Sequence, residues 1–249
     1  MCRLGIHGEE EFLIVLAAFQ SFLYEGHGFH GGHLGDVVAE YPHAVESHLV
    51  VEWNTVGCCC WAESFPYQPK VEFRLAYTDD ELLVYFRVEE DSVRARYGED
   101  NGRVWTDSCV EMFLSPEAND TYYNIECNCI GTVLLGVHEV ESTSVTDDDT
   151  SQPIWSKERA PAEVLSGIER WSSLGREPFE ERLGKTAWQV ALRVPYSTFW
   201  HHRFRPSAGT VVSANFQKCG DELAKPHFLT WAPIYGKSLT FTCRSSLRR

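Results

Sequence analysis

Three strand-like patterns of amides and carboxylates hold most of the chemistry in this sequence. Across 122–130, Asn124, Glu126 and Asn128 recur at every second residue between Tyr123, Ile125, Cys127 and Cys129. Across 211–218, Ser213, Asn215 and Gln217 repeat the arrangement against Val212, Ala214 and Phe216, with Lys218 next. Across 108–114, Glu111 stands opposite Val110, Met112 and Leu114. Side chains two apart on a strand share a face, so each pattern predicts a polar face backed by an apolar one. Antiparallel sheets often turn one face to water, and a solvated surface is one reading. Amides and a carboxylate in place of lysine and threonine favour the other, a groove that grips a ligand through short donors and acceptors. Trp105 and Trp231 lie close by in sequence. Aromatic rings pack on the C–H faces of sugars while Asn, Gln, Glu and Arg fix the hydroxyls.

The elements that must position these groups follow from a period of two that begins near residue 49. Val71, Phe73, Leu75 and Tyr77 alternate with Glu72, Arg74 and Ala76, and Thr78-Asp79-Asp80 leads into Leu82, Val84, Phe86 and Val88, which predicts a hairpin. Further strands are expected over 108–114, 122–135, 187–194 and 211–218, with a weaker one over 238–243. Residues 139–181 are polar and turn-rich, include Asp147-Asp148-Asp149, and carry a helical pattern only around 162–170. Several strands without strand–helix alternation predict an all-β, antiparallel sandwich of jelly-roll type. We divide the chain into an N-terminal extension, 1–36, a sandwich domain, 37–243, and a basic tail, 244–249. The extension combines a short amphipathic helix over 9–24 with a stretch holding His27, His30 and His33 among glycines. Those histidines lack a firm fourth ligand and read as a linker rather than a metal site.

A length of 249 residues suits one all-β core. With 36 acidic against 22 basic residues the net charge is −14, a field that repels phosphate backbones and anionic lipid and argues against nucleic acid and membrane partners. A neutral ligand or a cation is compatible with it. Nine cysteines, three of them the consecutive Cys58, Cys59 and Cys60, point to free thiols in a reducing compartment. Glu9, Glu10 and Glu11 precede the apolar stretch 12–23, where an export signal needs positive charge. A cytoplasmic protein is therefore expected.

The segment Trp105-Thr106-Asp107-Ser108-Cys109-Val110-Glu111-Met112-Phe113 resembles the tryptophan-led Asp-Ser and Val-Glu-x-Phe motif of family 9 carbohydrate-binding modules. Segment 122–132, the block Ala214-Asn215-Phe216-Gln217-Lys218-Cys219-Gly220-Asp221 and the following Pro226-His227-Phe228-Leu229-Thr230-Trp231 resemble the bacterial family 9-like proteins. The resemblance spans about Val50 to Trp231 and leaves 1–36 without a counterpart. It implies a β-sandwich that holds a mono- or oligosaccharide end between two tryptophans. Trp105 then matches the first ring and Glu111 the carboxylate of that site. Trp231 is the candidate second ring, and Asn215 and Gln217 match the amide-bearing strand. It also implies calcium as a cofactor, without assigning its ligands.

The site expected from both lines of reasoning comprises Trp105, Glu111, Asn124, Glu126, Asn128, Asn215, Gln217, Lys218 and Trp231, binding sugar without catalysis and serving carbohydrate catabolism. Two other classes stay open at this point. A glycosidase would need paired acids, Glu111 with Glu126 or Asp107 with Glu111. The second pair, on one strand, would be roughly 13 Å apart and too distant for the usual geometries. Lys218, Cys219, Asp221 and His227 form another candidate cluster. A haem domain would need an axial ligand, yet Met112, the only internal methionine, has core parity.

Overall fold

The computed structural model describes residues 49–50, 54–117, 121–142, 154–206, 210 and 212–234. The expectations for the extension 1–36, the strand 238–243 and the tail 244–249 lie outside the described residues.

The chain builds two antiparallel six-stranded sheets. The first has the order β1-β3-β4-β10-β9, with β2 also on β3. These strands are β1 (Leu49–Val50), β2 (Asn54–Thr55), β3 (Lys70–Tyr77), β4 (Glu81–Ala95), β9 (Glu169–Ser172) and β10 (Phe179–Pro195). The second has the order β12-β11-β5-β6-β7-β8. Its members are β5 (Cys109–Ser115), β6 (Tyr122–Asn128), β7 (Val133–Ser142), β8 (Ile154–Arg159), β11 (Ser213–Cys219) and β12 (Phe228–Thr230). A five-residue helix, α1 (Ala162–Ser166), links β8 to β9.

The alternating residues that predict the strands also supply the core. Val71, Phe73, Val84, Phe86, Val88, Trp188, Val190 and Leu192 of the first sheet join Val110, Met112, Leu114, Tyr123, Ile125 and Phe216 of the second in one buried cluster. Phe73 stacks on Phe216 across the layers at 3.8 Å between ring centroids. Met112 lies in this cluster, as its parity requires. The predicted hairpin is the β3–β4 pair, its turn closed by a bond from the Thr78 amide to the Glu81 carbonyl at 2.9 Å.

Several elements differ from the sequence reading: 139–181, read as a polar excursion, supplies β8, β9, the end of β7 and the start of β10, and β4 runs on past Val88 to Ala95. Segment 122–135 divides into β6 and β7 at a turn where the Asn128 carboxamide oxygen accepts the Ile130 and Thr132 amides, at 3.3 and 2.9 Å. Gly131, with φ of 81°, takes the left-handed position there. The apolar Cys129 and Ile130 hide that turn in the sequence. Strand β10 starts at Phe179 rather than 187, because its first residues pair with the far half of β4 while remaining largely exposed, and so show no apolar period.

Candidate functional site

The register of the second sheet turns the three polar patterns into a grid. Glu111 on β5 faces Gln217 on β11 and Glu126 on β6. One row therefore crosses the sheet as Thr230, Gln217, Glu111, Glu126 and Leu134. The rows on either side pair Cys219, Cys109 and Asn128, and Asn215, Phe113 and Asn124. The expected polar face thus exists as one surface, but it is not solvated. Gln217 is 0%, Glu111 3% and Glu126 7% exposed. A second apolar cluster, including Val104, Phe113, Tyr122 and Phe228, packs on this face. Trp61, Phe65 and Trp105 are half-buried at its margin.

Within the grid the predicted residues divide by what their polar atoms already hold. The Asn128 amide nitrogen donates to the Tyr97 carbonyl at 2.8 Å and to Asp107 at 3.1 Å, while its oxygen closes the β6–β7 turn. Asn215 accepts the Phe216 and Ala232 amides at 2.9 and 3.0 Å and donates to the Ala232 carbonyl at 3.0 Å. Both carboxamides are occupied in fastening backbone, not held out to a ligand. Asn124 donates to Glu126 at 2.7 Å, and His138 Nε2 lies 3.3 Å from its oxygen. Gly136 makes room for this relay, since a Cβ there would meet the Asn124 oxygen at 2.9 Å. Arg159 stands across Gly136, half-buried, and burial lowers its basicity against the pull of Glu126. Gln217 is different. Among the described residues neither atom of its buried amide has a hydrogen-bond partner, which is uncommon for an interior polar group.

Trp105 is presented by a 3-10 turn, Val104–Thr106, that a buried ion pair clamps. Arg94, 3% exposed, donates from Nε to Asp107 at 3.2 Å and from Nη1 to the Glu222 carbonyl at 2.7 Å. Its Nη2 bonds the Thr106 carbonyl. Asp107 also accepts the Tyr97 amide at 3.1 Å. The Asp107 carboxylate is consumed by this clamp, which removes the Asp107–Glu111 acid pair. The Trp105 carbonyl in turn receives the Asp221 amide at 3.3 Å. Burial, with Glu222 beside it, raises the Asp221 carboxyl to about 6.

The structure corrects two expected placements. Trp231 does not face Trp105: it packs on the interlayer core, edge-on to Phe73 and Phe216 at 5.8 and 5.9 Å. Lys218 likewise points between the sheets, away from Gln217. Its ammonium bonds His227 Nε2 and the Cys219 carbonyl, each at 2.8 Å, and pairs with Glu90 at 3.0 Å, all within a fully buried pocket of charge. Glu90 also accepts the Trp188 indole N–H at 2.6 Å. Burial, then the Lys218 ammonium, draws the His227 imidazole down to about 2. A neutral ring that donates from Nδ1 to the Lys225 carbonyl, at 2.9 Å, leaves Nε2 to accept from lysine. The expected cluster of Lys218, Cys219, Asp221 and His227 therefore divides: Lys218 and His227 anchor the interior, while Cys219 lies on the opposite face. Alternation alone carried the signal, since Lys218 shares the parity of Phe216 and Trp231 is one residue beyond Thr230.

Sequence reasoning missed Cys109 and grouped Cys219 with Lys218 instead of with Glu111 and Gln217, which the two cysteines flank at the same parity. Donor atoms of Cys109, Glu111 and Cys219 lie within 4.8 Å of one another, with Cys219 Sγ 3.0 Å from a Glu111 oxygen. Burial pushes the Cys109 thiol up to about 12 and that of Cys219 well above its ordinary value. This donor set does not suit the calcium implied by resemblance, because calcium takes six to eight oxygen ligands. Among the described residues no other group of three His, Cys, Asp or Glu side chains converges. Trp61 was also missed. It reaches the grid margin through an edge contact with Phe228 at 6.3 Å between centroids.

The model of carbohydrate-binding family 9 matches residues 40–246. The chain belongs to carbohydrate-binding family 9. A crystal structure of a protein from Bacteroides uniformis, described as a proposed carbohydrate-binding protein, is 38% identical, with a TM-score of 0.71. The match covers 86% of this chain and 88% of that one. Two structures of a family 9 module from Caldicellulosiruptor kristjanssonii, with glucose and with cellotriose, are 15% and 14% identical, each with a TM-score of 0.41. They cover 72% of this chain, and 73% and 72% of their own. No curated protein matches.

Proposed function

We propose that the protein is a non-catalytic carbohydrate-binding domain whose sugar end is held at the margin formed by Trp105 and Trp61, with the buried row Gln217, Glu111 and Glu126 beneath it. The observation that carries this reading is the row itself: an amide and two carboxylates from adjacent strands, on one face, with half-buried indoles at its edge. Carboxylates and amides accept and donate in the pattern that vicinal hydroxyls require, and indole rings offer apolar area at low conformational cost. Family membership and the Bacteroides uniformis relative support the same ligand class. The sharpened set leaves out Asn124, Asn128, Asn215, Lys218 and Trp231, whose polar atoms or rings serve the fold. Titration calorimetry of the full chain against a panel of mono- and oligosaccharides tests the reading. Binding that disappears in Glu111→Gln and Trp105→Ala supports it, and no heat with any sugar refutes it.

One observation favours a hydrolytic reading, the direct cross-strand pairing of Glu111 with Glu126. Opposed residues of an antiparallel pair have Cβ atoms about 4.5–5.5 Å apart, which is near the separation used by retaining glycosidases. Those enzymes place their two acids on either side of the scissile bond, whereas Glu111 and Glu126 project from the same face of one sheet. Binding fits that parallel geometry better. Turnover of an aryl glycoside, lost in both Glu111→Gln and Glu126→Gln, would reverse the ranking.

A further inference from the structure

The Cys109–Cys219 and Glu111–Gln217 pairs are neighbouring same-face rows of the β5–β11 ladder. Four side chains therefore rise from the corners of one small rectangle. Two sulfurs and a carboxylate oxygen already converge to within 4.8 Å. The fourth corner is the buried Gln217 amide, whose oxygen and nitrogen have no hydrogen-bond partner among the described residues. Converging thiols explain nothing about that amide if they are merely buried, but an amide oxygen is a competent ligand for a cation held by the other three. Two sulfur donors select soft or borderline metals over calcium and magnesium, and four donors of this mixture suit tetrahedral geometry.

We propose that Cys109, Cys219, Glu111 and Gln217 form a closed binding site for a thiophilic divalent cation of the Zn²⁺ class. The cation would fasten β5 to β11 beneath the tryptophan margin. Both thiols are fully enclosed, so the role is structural, with no open position for catalysis. Each thiol loses its proton to solvent as its sulfur takes up the metal, and no oxidant is involved. Burial alone disfavours those thiolates, and the charge of the cation is what offsets it. Cys58 and Cys60, 3.6 Å apart near Thr230, are the competing thiols and supply the control.

The test uses Co²⁺ as a spectroscopic probe on the full chain, purified reduced and stripped with chelator. At one equivalent, sulfur-to-cobalt charge-transfer absorption should appear and be displaced by Zn²⁺. Its intensity should fall by about half in Cys109→Ser and in Cys219→Ser, one thiolate being lost in each. Gln217→Ala keeps both thiols, so it tests the site even if a cysteine variant fails to fold. It should retain the band and bind Co²⁺ at least about tenfold more weakly, the order expected for losing one ligand-sphere partner. The Cys58→Ser/Cys59→Ser/Cys60→Ser variant should bind as the parent does. The proposal is overturned by the absence of a thiolate band in the parent, by full intensity in Cys109→Ser or Cys219→Ser, by unchanged affinity in Gln217→Ala, or by loss of the band in the triple variant. This inference rests partly on the proposed sugar row, since Glu111 and Gln217 belong to both sites. The cobalt spectrum needs no sugar, so each idea fails separately.

Discussion

Asp107→Asn should unfold the clamp beneath Trp105 out of proportion to its size. Asp107 is fully buried and receives Arg94 Nε at 3.2 Å, the Tyr97 amide at 3.1 Å and the Asn128 amide nitrogen at 3.1 Å. Asparagine keeps the shape but removes the charge, and its new N–H₂ must confront a donor, whether Arg94 or Asn128. The Arg94 guanidinium, with side-chain exposure of 3%, is left facing only carbonyls and the half-exposed Glu222. Breaking a buried pair by removing one partner costs about 3–5 kcal/mol. For a chain of this length each kcal/mol moves the melting temperature by about 2–4 °C, so a fall of about 6–20 °C is expected. Urea unfolding followed by circular dichroism, with thermal melts alongside, measures it. Arg94→Met in the Asp107→Asn background should recover part of the loss, since no buried charge then remains. A single-variant loss below about 1 kcal/mol would refute the reasoning, because it would mean the pair is hydrated and does not hold the turn.

Other expectations follow from the same geometry. Trp105→Ala should weaken sugar binding at least about tenfold, or 1.4 kcal/mol, while changing the melting temperature little, as read by calorimetry and a thermal melt. Lys218→Met should cost about 3–5 kcal/mol by stranding Glu90 in the core, yet leave sugar affinity within about twofold, because Lys218 faces away from the row. Gln217→Met in the metal-free protein should raise stability by about 1–3 kcal/mol by removing an unsatisfied buried amide, measured by urea unfolding. His227 stays neutral when folded down to about pH 2, whereas the unfolded chain protonates it near 6.5. The unfolded state therefore binds more protons in that window, and stability drains as pH falls through it, by about 1.4 kcal/mol per pH unit from this group. Asp221, raised to about 6, works oppositely: its contribution is present below about pH 4 and lost as pH rises towards 6. Comparing the pH slopes of stability in the parent and His227→Gln isolates the histidine, since Asp221 is common to both.

How much of this was legible in the sequence depended on which interaction each residue answers to. Alternation exposes local geometry, so Val71 to Val88 declare a hairpin and Glu111, Glu126 and Gln217 declare their face. Register is non-local: nothing in 108–114 or 122–130 says that Glu111 meets Glu126 rather than Asn124 or Asn128. Asn128 and Asn215 read as ligand groups because a carboxamide looks the same whether it grips a hydroxyl or a backbone amide. Arg94 gave no warning as the partner of Asp107, being thirteen residues away across a strand end. Trp231 looked like a partner for Trp105 through motif order, although its parity relative to Thr230 already turned it inward. Trp61 sits beside three cysteines in a segment with no strand period, and its packing on Phe228 at the margin is a tertiary contact.

Strand β5 is enclosed on both sides, by the interlayer core through Val110, Met112 and Leu114 and by the second cluster through Cys109 and Phe113. A strand with no wet face has almost no substitutions that are neutral, since each residue answers to packing on one side or to a cross-strand partner on the other. Evolution of a new ligand preference would therefore be excluded from the row we place beneath the ligand. It would be pushed outward into the turns around Trp61, Trp105 and Asp221, where a change of side chain disturbs one edge rather than two layers.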